Sequence, residues 1–438
     1  MMTKLICSHD ASHLPKVGPD VVPVLLFQRS DVGSELAYIG DQLHREVLRL
    51  PALPQPEAVD LLSLALTVIA GDTFVLRSDA ANRWHREIDA RVHLARPSSW
   101  AQINQSLEKM LCFLSGDQWR IEFAGDGYLP TGKSHLRPDY KADCACLFSG
   151  GLDSTTGVID LVGAGIKPLL VSQAYIGDAS VQNELLHYAK YDLPRFAANV
   201  NPKRRPLADG TKFKYETSMR ARSFLFLAMG VVAASAISNT KGGHIVDLVV
   251  PENGFISINP PLTPRRIGAQ STRTTHPYFL GLFQELLDSL GLPIKVKNPF
   301  YNVTKGEMML NCADQKLLSK LAPATRSCGK WKRHWQQCGK CLPCLIRRAS
   351  FDASGIAENA DAAYRFPKLS DALALENDRD DVLAVIQAIK KFSGADVKEW
   401  ARRSGPLPHD PAERAARVDV VSNGLSELRD FLCKHVPI

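Results

Sequence analysis

Residues 146–157 read Cys-Leu-Phe-Ser-Gly-Gly-Leu-Asp-Ser-Thr-Thr-Gly, which predicts a short apolar strand, a glycine-rich turn and then a helix. Paired glycines let backbone N–H groups close on an anion, and the start of the next helix adds partial positive charge. Three hydroxyl groups complete this predicted phosphate cradle, those of Ser149, Ser154 and Thr155. The spacing is that of neither a Walker loop nor a dinucleotide fingerprint. A plain strand–turn–helix connection is the alternative interpretation. We call Ser149–Ser154 the phosphate loop.

Composition places the chain among ordinary soluble globular proteins. It has 438 residues, 45% hydrophobic and 23% charged, with a formal net charge of +7, which suits two or three domains. No signal peptide is expected, and the uncharged stretch from Phe224 to Thr240 is predicted to be a buried helix rather than a membrane span. We therefore expect a cytoplasmic protein without membrane contact.

Basic residues concentrate in two clusters. Such clusters suit the binding of ATP or an anionic substrate, and we favour these over nucleic acid. The alternative for each cluster is a solvated basic surface. The first cluster contains Lys203, Arg204, Arg205, Lys212, Lys214, Arg220 and Arg222, and the second contains Arg326, Lys330, Lys332, Arg333, Lys340, Arg347 and Arg348.

Three regions differ in their pattern. Residues 1–140 mix short apolar runs with one helical run and are predicted to form an α+β domain without a recognisable catalytic cluster. Residues 141–355 alternate strands and helices, which predicts an α/β fold with a doubly wound parallel sheet. Residues 356–438 are predicted to be helical. The elements predicted in the middle region are strands 144–148, 168–174, 245–251 and 293–297 and helices 153–163, 179–197, 218–238 and 277–290.

Four cysteines follow late in the middle region, spaced C-x9-C-x2-C-x2-C: Cys328, Cys338, Cys341 and Cys344. Three thiolates on a tight turn and a fourth from a nearby loop can coordinate a zinc ion in tetrahedral geometry. An iron–sulfur cluster and a redox dithiol are the alternatives. His334 is expected to pack or face solvent rather than bind metal. We predict a structural zinc ion in an insert at residues 328–344.

The Ser-Gly-Gly-x-Asp-Ser loop resembles that of the PP-loop ATP pyrophosphatase superfamily, with its adenine nucleotide α-hydrolase-like fold. Together with Cys338-Gly-Lys-Cys341-Leu-Pro-Cys344 and Arg347 or Arg348, it resembles the QueC family of 7-cyano-7-deazaguanine synthases. Two further segments fit, Arg220-Ala-Arg222-Ser223 and Thr304-Lys305-Gly306-Glu307. The segment Pro251–Pro277 and the long N-terminal region depart from QueC and resemble QueC-like proteins of bacterial antiphage operons, the QatC and CBASS-associated type.

The resemblance implies ATP bound at the phosphate loop and pyrophosphate held as a leaving group. The implied ATP-binding residues are Ser149, Gly150, Gly151, Leu152, Asp153, Ser154 and Thr155. The implied catalytic residues are Asp153, Ser149, Lys305 and Arg222, with Asp153 holding Mg²⁺ or, alternatively, capping a helix. The candidates for substrate binding are Glu252, Asn253, Arg273, Thr274 and Thr275, although Glu252 and Asn253 also suit a turn.

The implied reaction is adenylation of 7-carboxy-7-deazaguanine, followed by amide formation with an amine. For the antiphage group the implied acceptor is the amino terminus of a partner protein. We expect this partner to dock on residues 1–140, alone or together with the helical tail after Ser350. The alternatives are nitrile synthesis from ammonia, a PP-loop tRNA-modifying enzyme, or a non-catalytic scaffold. Because Asp153 is expected to touch phosphate or Mg²⁺, we expect Asp153→Ala to abolish activity and leave the fold intact.

Overall fold

The computed structural model describes residues 3–18, 20–31, 34–132, 138–204, 213–217, 220–262, 273–392 and 397–436. Arg205 and Lys212 of the first basic cluster, and Ser271 and Thr272, lie outside the described residues.

Two sheets organise the molecule. The first has the strand order β5-β4-β1-β2-β3-β9 and the second the order β11-β10-β6-β7-β8. The strands of the first sheet are β1 (Thr3–Ser8), β2 (Val21–Leu26), β3 (Ala37–Ile39), β4 (Glu87–His93), β5 (Gln118–Ala124) and β9 (Lys203–Arg204). The strands of the second are β6 (Cys144–Leu147), β7 (Pro168–Gln173), β8 (Arg195–Ala198), β10 (Val246–Val249) and β11 (Ile294–Lys297).

The first sheet corrects the α+β prediction for residues 1–140. Its strands from β5 to β3 pair in parallel, and only β9 joins antiparallel. The alternation of β4 between buried and exposed residues is confirmed. It indicates a half-buried strand but carries no information on the direction of the neighbouring strand. This region is therefore α/β, like the one that follows it.

The second sheet is parallel throughout, as predicted for residues 141–355. One element there was predicted wrongly: the helix expected over 179–197 ends at Ala189, and Arg195–Ala198 form β8. Lys190 adopts a left-handed conformation with φ of 56° that ends the helix, and Pro194 follows before the strand. A left-handed residue followed by proline is a common helix terminator.

Helices cover both sheets and form the C-terminal region, as predicted. In the first half they are α1 (Leu43–Leu48), α2 (Pro56–Phe74), α3 (Pro97–Ala101), α4 (Asn104–Ser115), α5 (Leu152–Gly163), α6 (Asp178–Ala189) and α7 (Arg222–Thr240). Later come α8 (Gly254–Ile258), α9 (Pro277–Ser289), α10 (Lys305–Leu310), α11 (Gln315–Leu321) and α12 (Leu342–Ser354). The tail contains α13 (Ala360–Ala363), α14 (Leu369–Ala374), α15 (Asp380–Phe392), α16 (Val397–Arg402) and α17 (Pro411–His435).

Helix α7 is the one described helix long and apolar enough to cross a membrane, and 78% of its apolar window is buried inside the protein. It packs against α2 and against strands of the second sheet. Its apolar composition is therefore that of a central core helix, as predicted for Phe224–Thr240.

The main hydrophobic core runs through both sheets without interruption. One cluster of buried side chains includes Leu5 and Leu64 of the first region together with Val171 and Val231 of the second. Polar contacts cross the same interface, since the Ala221 N–H donates to the Asp72 carboxylate at 3.0 Å. The boundary expected near residue 140 is therefore no boundary in the packing.

Candidate functional site

The phosphate loop follows the carboxyl end of β6, where parallel α/β sheets bind ligands. Gly150 has φ of +80°, a left-handed conformation that favours glycine. The Ser149 Oγ accepts the Gly151 N–H at 3.2 Å and lies 3.1 Å from the Ser154 Oγ. Helix α5 begins after Gly151, which as the N-cap residue offers no side chain to cap the first turn. Its N–H groups are therefore oriented to receive an anion.

A cavity of about 460 Å³ opens beside this loop. Ser149 and Gly151 form one side, and three cations line the others: Arg222, Arg326 and Lys332. Of the predicted site residues, Ser149, Gly151, Arg222, Thr274 and the metal-ligand candidate Cys328 line this cavity. Its size and charge suit a polyanionic ligand of nucleotide dimensions.

Arg222 is held in place by several groups. Its Nε donates to the Gln173 Oε1 at 2.8 Å, its guanidinium lies 4.3 Å from the centre of the Tyr175 ring, and its Nη2 lies 3.4 Å from Asp178. The Asp178 carboxylate also accepts from the Lys332 Nζ at 2.8 Å. Asp178 thus holds two of the cavity's cations near each other.

The Asp153 carboxylate is buried on another side of the loop. One oxygen accepts the Asn253 N–H at 2.9 Å and the Asn253 side-chain amide at 2.6 Å, and the other forms an ion pair with the buried Lys305. Burial works to raise the pKa of Asp153, but the Lys305 ammonium and these hydrogen bonds outweigh it and hold the pKa below its usual range. Asp153 is therefore charged at neutral pH.

Glu252 lies next to this pair. Burial, and then the neighbouring Asp153 carboxylate, raise the pKa of Glu252 well above its usual range. The raised pKa favours the protonated form of Glu252, which can donate the side-chain hydrogen bond that it shares with Asp153. The predicted residues Asp153, Lys305, Glu252 and Asn253 thus form one cluster, held through contacts with each other.

The predicted substrate-binding residues do not converge on one surface. Asn253 is fully buried, and its side-chain oxygen caps α8 by accepting the Ile256 N–H at 3.0 Å. Arg273 donates to the carbonyl oxygens of Ser404 and Phe113, at 3.0 and 2.9 Å. The Thr275 carbonyl accepts from Ser257. Only Thr274 of this set lines the cavity, and the base-reading roles stay predictions.

The four predicted cysteines form a buried group whose Sγ atoms all lie within 4.8 Å of one another. The Sγ atoms of Cys328 and Cys341 are 3.9 Å apart, and those of Cys338 and Cys344 are 3.8 Å apart. A tetrahedral zinc ion with Zn–S bonds of about 2.3 Å separates its sulfurs by about 3.8 Å. The group therefore fits one zinc ion, whereas the iron atoms of a cluster would hold the thiolates further apart.

Two arginines after the last cysteine support the surrounding backbone. Arg347 is fully buried, pairs with Glu358 at 2.7 Å and donates to the Thr325 Oγ1 at 2.7 Å. Arg348 donates to the carbonyl oxygens of Gly339 and Phe366, each at 3.2 Å. Both side chains thus hold the segments that carry the cysteines.

The carboxyl end of the first sheet has a different composition. The rings of His13 and His93 stack at 4.3 Å, and the His93 Nδ1 lies 2.7 Å from the Gly125 carbonyl oxygen. Ser8, at the end of β1, is fully buried and lies 3.1 Å from the His13 Nδ1. This group has no local sequence signature, because His93 on β4 lies 80 positions after His13 in the chain.

Sequence analysis also missed much of the cavity wall. Gln173 ends β7 and Asp178 follows it in the next helix. Because that strand agrees with the prediction of 168–174, the position of both residues at the ligand-binding edge of the sheet is a signal that the sequence contains. Arg326 and Lys332 were noticed only as members of a basic cluster. Their convergence on the phosphate loop depends on the path of the chain between distant segments.

Residues 275–355 match the family model of QueC, the queuosine biosynthesis protein. The matched range contains Lys305 and the four cysteines, and it ends before the helical tail. No curated protein matches the chain. The match supports a likeness to QueC, whose members are ATP-using enzymes with PP-loop chemistry on a 7-deazaguanine-like substrate.

Proposed function

We propose that this chain is an ATP-dependent enzyme that activates the carboxylate of 7-carboxy-7-deazaguanine as an acyl-adenylate. The observation that carries the proposal is the phosphate loop at the carboxyl end of β6, opening into a cavity lined by Arg222, Arg326 and Lys332. The QueC match over residues 275–355 supports the substrate class. Membership of an antiphage system and a cytoplasmic location are part of the proposal, and they rest on the sequence.

In the proposed first step, a carboxylate oxygen of the substrate attacks the α phosphorus of ATP. The bond from that phosphorus to the bridging oxygen breaks, and pyrophosphate leaves with the electron pair. Negative charge then grows on the leaving group beside the N–H groups of the loop and beside Arg222. Fixed donors and cations at that place stabilise the transition state.

Asp153 has a positioning role in this proposal. The protein groups already bonded to its two oxygens leave the carboxylate poorly placed to bind Mg²⁺ directly. Its charge instead holds Lys305 next to the loop. Mg²⁺, when bound with ATP, would neutralise polyphosphate charge.

In the proposed second step, an amine nitrogen attacks the acyl carbon and the bond from that carbon to the AMP oxygen breaks. AMP leaves with the electron pair, and the nitrogen loses one proton to solvent as the amide forms. We propose the amino terminus of a partner protein as the acceptor. An α-amino group has a reference pKa of about 7.7–8.0, so part of it is uncharged and nucleophilic at neutral pH without a dedicated base.

The test is to incubate the purified chain with ATP and 7-carboxy-7-deazaguanine and to measure pyrophosphate and AMP. We expect pyrophosphate release that requires the carboxylate. A reaction without the carboxylate, and one with 7-deazaguanine in its place, are the matched controls. Equal release in all three would overturn the proposal.

A second measurement addresses the acceptor. Mass spectrometry after addition of ammonium alone should show little free nitrile, and addition of the partner should give a deazaguanine amide on its amino terminus. Efficient nitrile formation with ammonium alone would assign the chain ordinary QueC chemistry instead.

A further inference from the structure

The segment between the first two cysteines, residues 329–337, is fixed at both ends by one sulfur atom. The N–H groups of Lys330 and Cys338 both donate to the Cys328 Sγ, each at 3.4 Å. We call residues 329–337 the metal-side loop. Because its two ends meet at a thiolate of the cysteine group, its position is tied to that group.

The metal-side loop also lies against the nucleotide cavity. Cys328, Gly329, Trp331 and Lys332 line the cavity together with Ser149 and Gly151 of the phosphate loop. Just before the loop, the Arg326 N–H donates to the Gly150 carbonyl at 3.4 Å. Cys328 thus belongs both to the cysteine group and to the cavity wall.

The other side of the metal-side loop packs on the amino end of α6. A Cβ atom on Gly177 would lie 2.6 Å from the Trp335 ring, and Gly177 has φ of +85°, so only glycine permits this close approach. The Lys332 Nζ donates to Asp178 at 2.8 Å. Trp331 lines the cavity, and the centre of its ring lies 5.9 Å from the Arg326 guanidinium.

From this placement we propose that the metal-side loop is a nucleotide-contacting wall in which Lys332 binds the polyphosphate and Trp331 packs against the bound nucleotide. The inference rests on the proposed function. The ligand is an adenine nucleotide with its phosphates at the loop Ser149–Ser154. Lys332 already shares Asp178 with Arg222, so its ammonium is held within reach of a polyanion.

The first test is calorimetric titration with ATP alone, at low salt, of the wild type and of two neighbouring variants. Lys332→Ala removes the proposed contact, and Arg333→Ala removes an exposed cation next to it that does not line the cavity. We expect Lys332→Ala to weaken ATP binding about tenfold and Arg333→Ala to leave it unchanged. Zinc content is measured in each protein, so that loss of the metal is not mistaken for loss of the contact.

The second test uses tryptophan emission. Trp335 is 61% exposed and serves as the control. ATP should change the emission of the wild type and of Trp335→Phe, and it should have little effect on the emission of Trp331→Phe. Equal ATP affinity in wild type and Lys332→Ala, or an unchanged response in Trp331→Phe, overturns the inference. A wild type that binds no ATP overturns the proposed function itself, so the two failures are distinguishable.

Discussion

Asp60 and Asp153 are buried aspartates near the carboxyl ends of the two parallel sheets, and the protein displaces their pKa values in opposite directions. Asp60 accepts the N–H groups of Ala95 and Arg96, at 2.7 and 2.9 Å. Burial nevertheless raises the pKa of Asp60 to about 6. Asp153 accepts two N–H groups from Asn253, and its pKa is held low.

Two further groups distinguish Asp153 from Asp60. Asp153 pairs with Lys305 and accepts a hydrogen bond from the Glu252 side chain, whereas the Glu57 carboxylate near Asp60 raises the pKa of Asp60 further. Two backbone N–H donors thus do not offset the burial of Asp60, and at Asp153 the ammonium group and the added hydrogen bond do so. The second sheet keeps a charged pair beside its phosphate loop, and the first sheet carries a carboxyl group that titrates in mildly acidic solution.

The largest expected effect comes from breaking the buried pair. Lys305→Ala leaves Asp153 charged and unpaired, and should lower the free energy of unfolding by about 3–5 kcal/mol. The control is Lys297→Ala, which removes an exposed pair with Asp247 at 2.7 Å and should cost less than about 1 kcal/mol. Denaturant unfolding measures both. Equal losses would show that the Asp153 pair is no different from a surface pair.

The same pair changes the expectation that Asp153→Ala spares the fold. That substitution leaves Lys305 buried without its partner, so we expect a similar loss of about 3–5 kcal/mol. Loss of activity in Asp153→Ala is therefore ambiguous unless the folded fraction is measured as well.

Ser149→Ala tests the loop without this ambiguity. It removes a hydroxyl from the cavity wall, so carboxylate-dependent pyrophosphate release should fall about 100-fold, equivalent to about 2.7 kcal/mol. The matched control is Ser8→Ala at the end of β1, which should lose about 1 kcal/mol of stability through its hydrogen bonds and retain its turnover. Similar turnover in the two variants would contradict the assignment of the phosphate loop.

Asp60 predicts a pH dependence. Its pKa is raised from 3.8 to about 6 on folding, so the folded chain binds more protons than the unfolded chain between these values. The contribution of Asp60 to the free energy of unfolding should therefore be complete below about pH 4 and should fall by roughly 2–3 kcal/mol as the pH rises from 4 through 6. Asp60→Asn should remove this fall, and parallel pH profiles of the two proteins would refute the prediction.

The smallest effect is expected at the histidines of the first sheet. His93→Ala removes the contact with Gly125 and the stacking on His13, and should cost about 1 kcal/mol of stability. Pyrophosphate release by the folded protein should stay within about twofold of the wild type. A tenfold loss of pyrophosphate release would show that residues at the carboxyl ends of both sheets contribute to the reaction.

The features that sequence predicted well have local signatures. The phosphate loop is marked by two adjacent glycines at the end of a strand. The cysteine group is marked by three cysteines with two residues between each consecutive pair and a fourth cysteine nearby. The helix Phe224–Thr240 and the strand Glu87–His93 follow from apolar content and alternation over short windows. In each case the residues that interact are close in the chain, so their spacing carries the information.

The features that sequence missed depend on long-range contacts. Lys305 pairs with a residue 152 positions earlier, and Lys332 with one 154 positions earlier. No window of sequence contains both partners. The parallel pairing of β1, β2 and β4 was missed for the same reason, since the pattern within a strand does not reveal the direction of its neighbour.

Because the hydrophobic core is continuous between the two sheets, the N-terminal region cannot be separated from the rest of the chain without exposing buried surface. Separation near residue 140 would expose the apolar faces of α2 and α7 to water, and it would free the amino end of α7 from Asp72. Arg222, one residue beyond that contact, would lose part of what positions it. The N-terminal region therefore cannot be exchanged between relatives like a detachable module, and substitutions on its inner face must be matched by changes on α7.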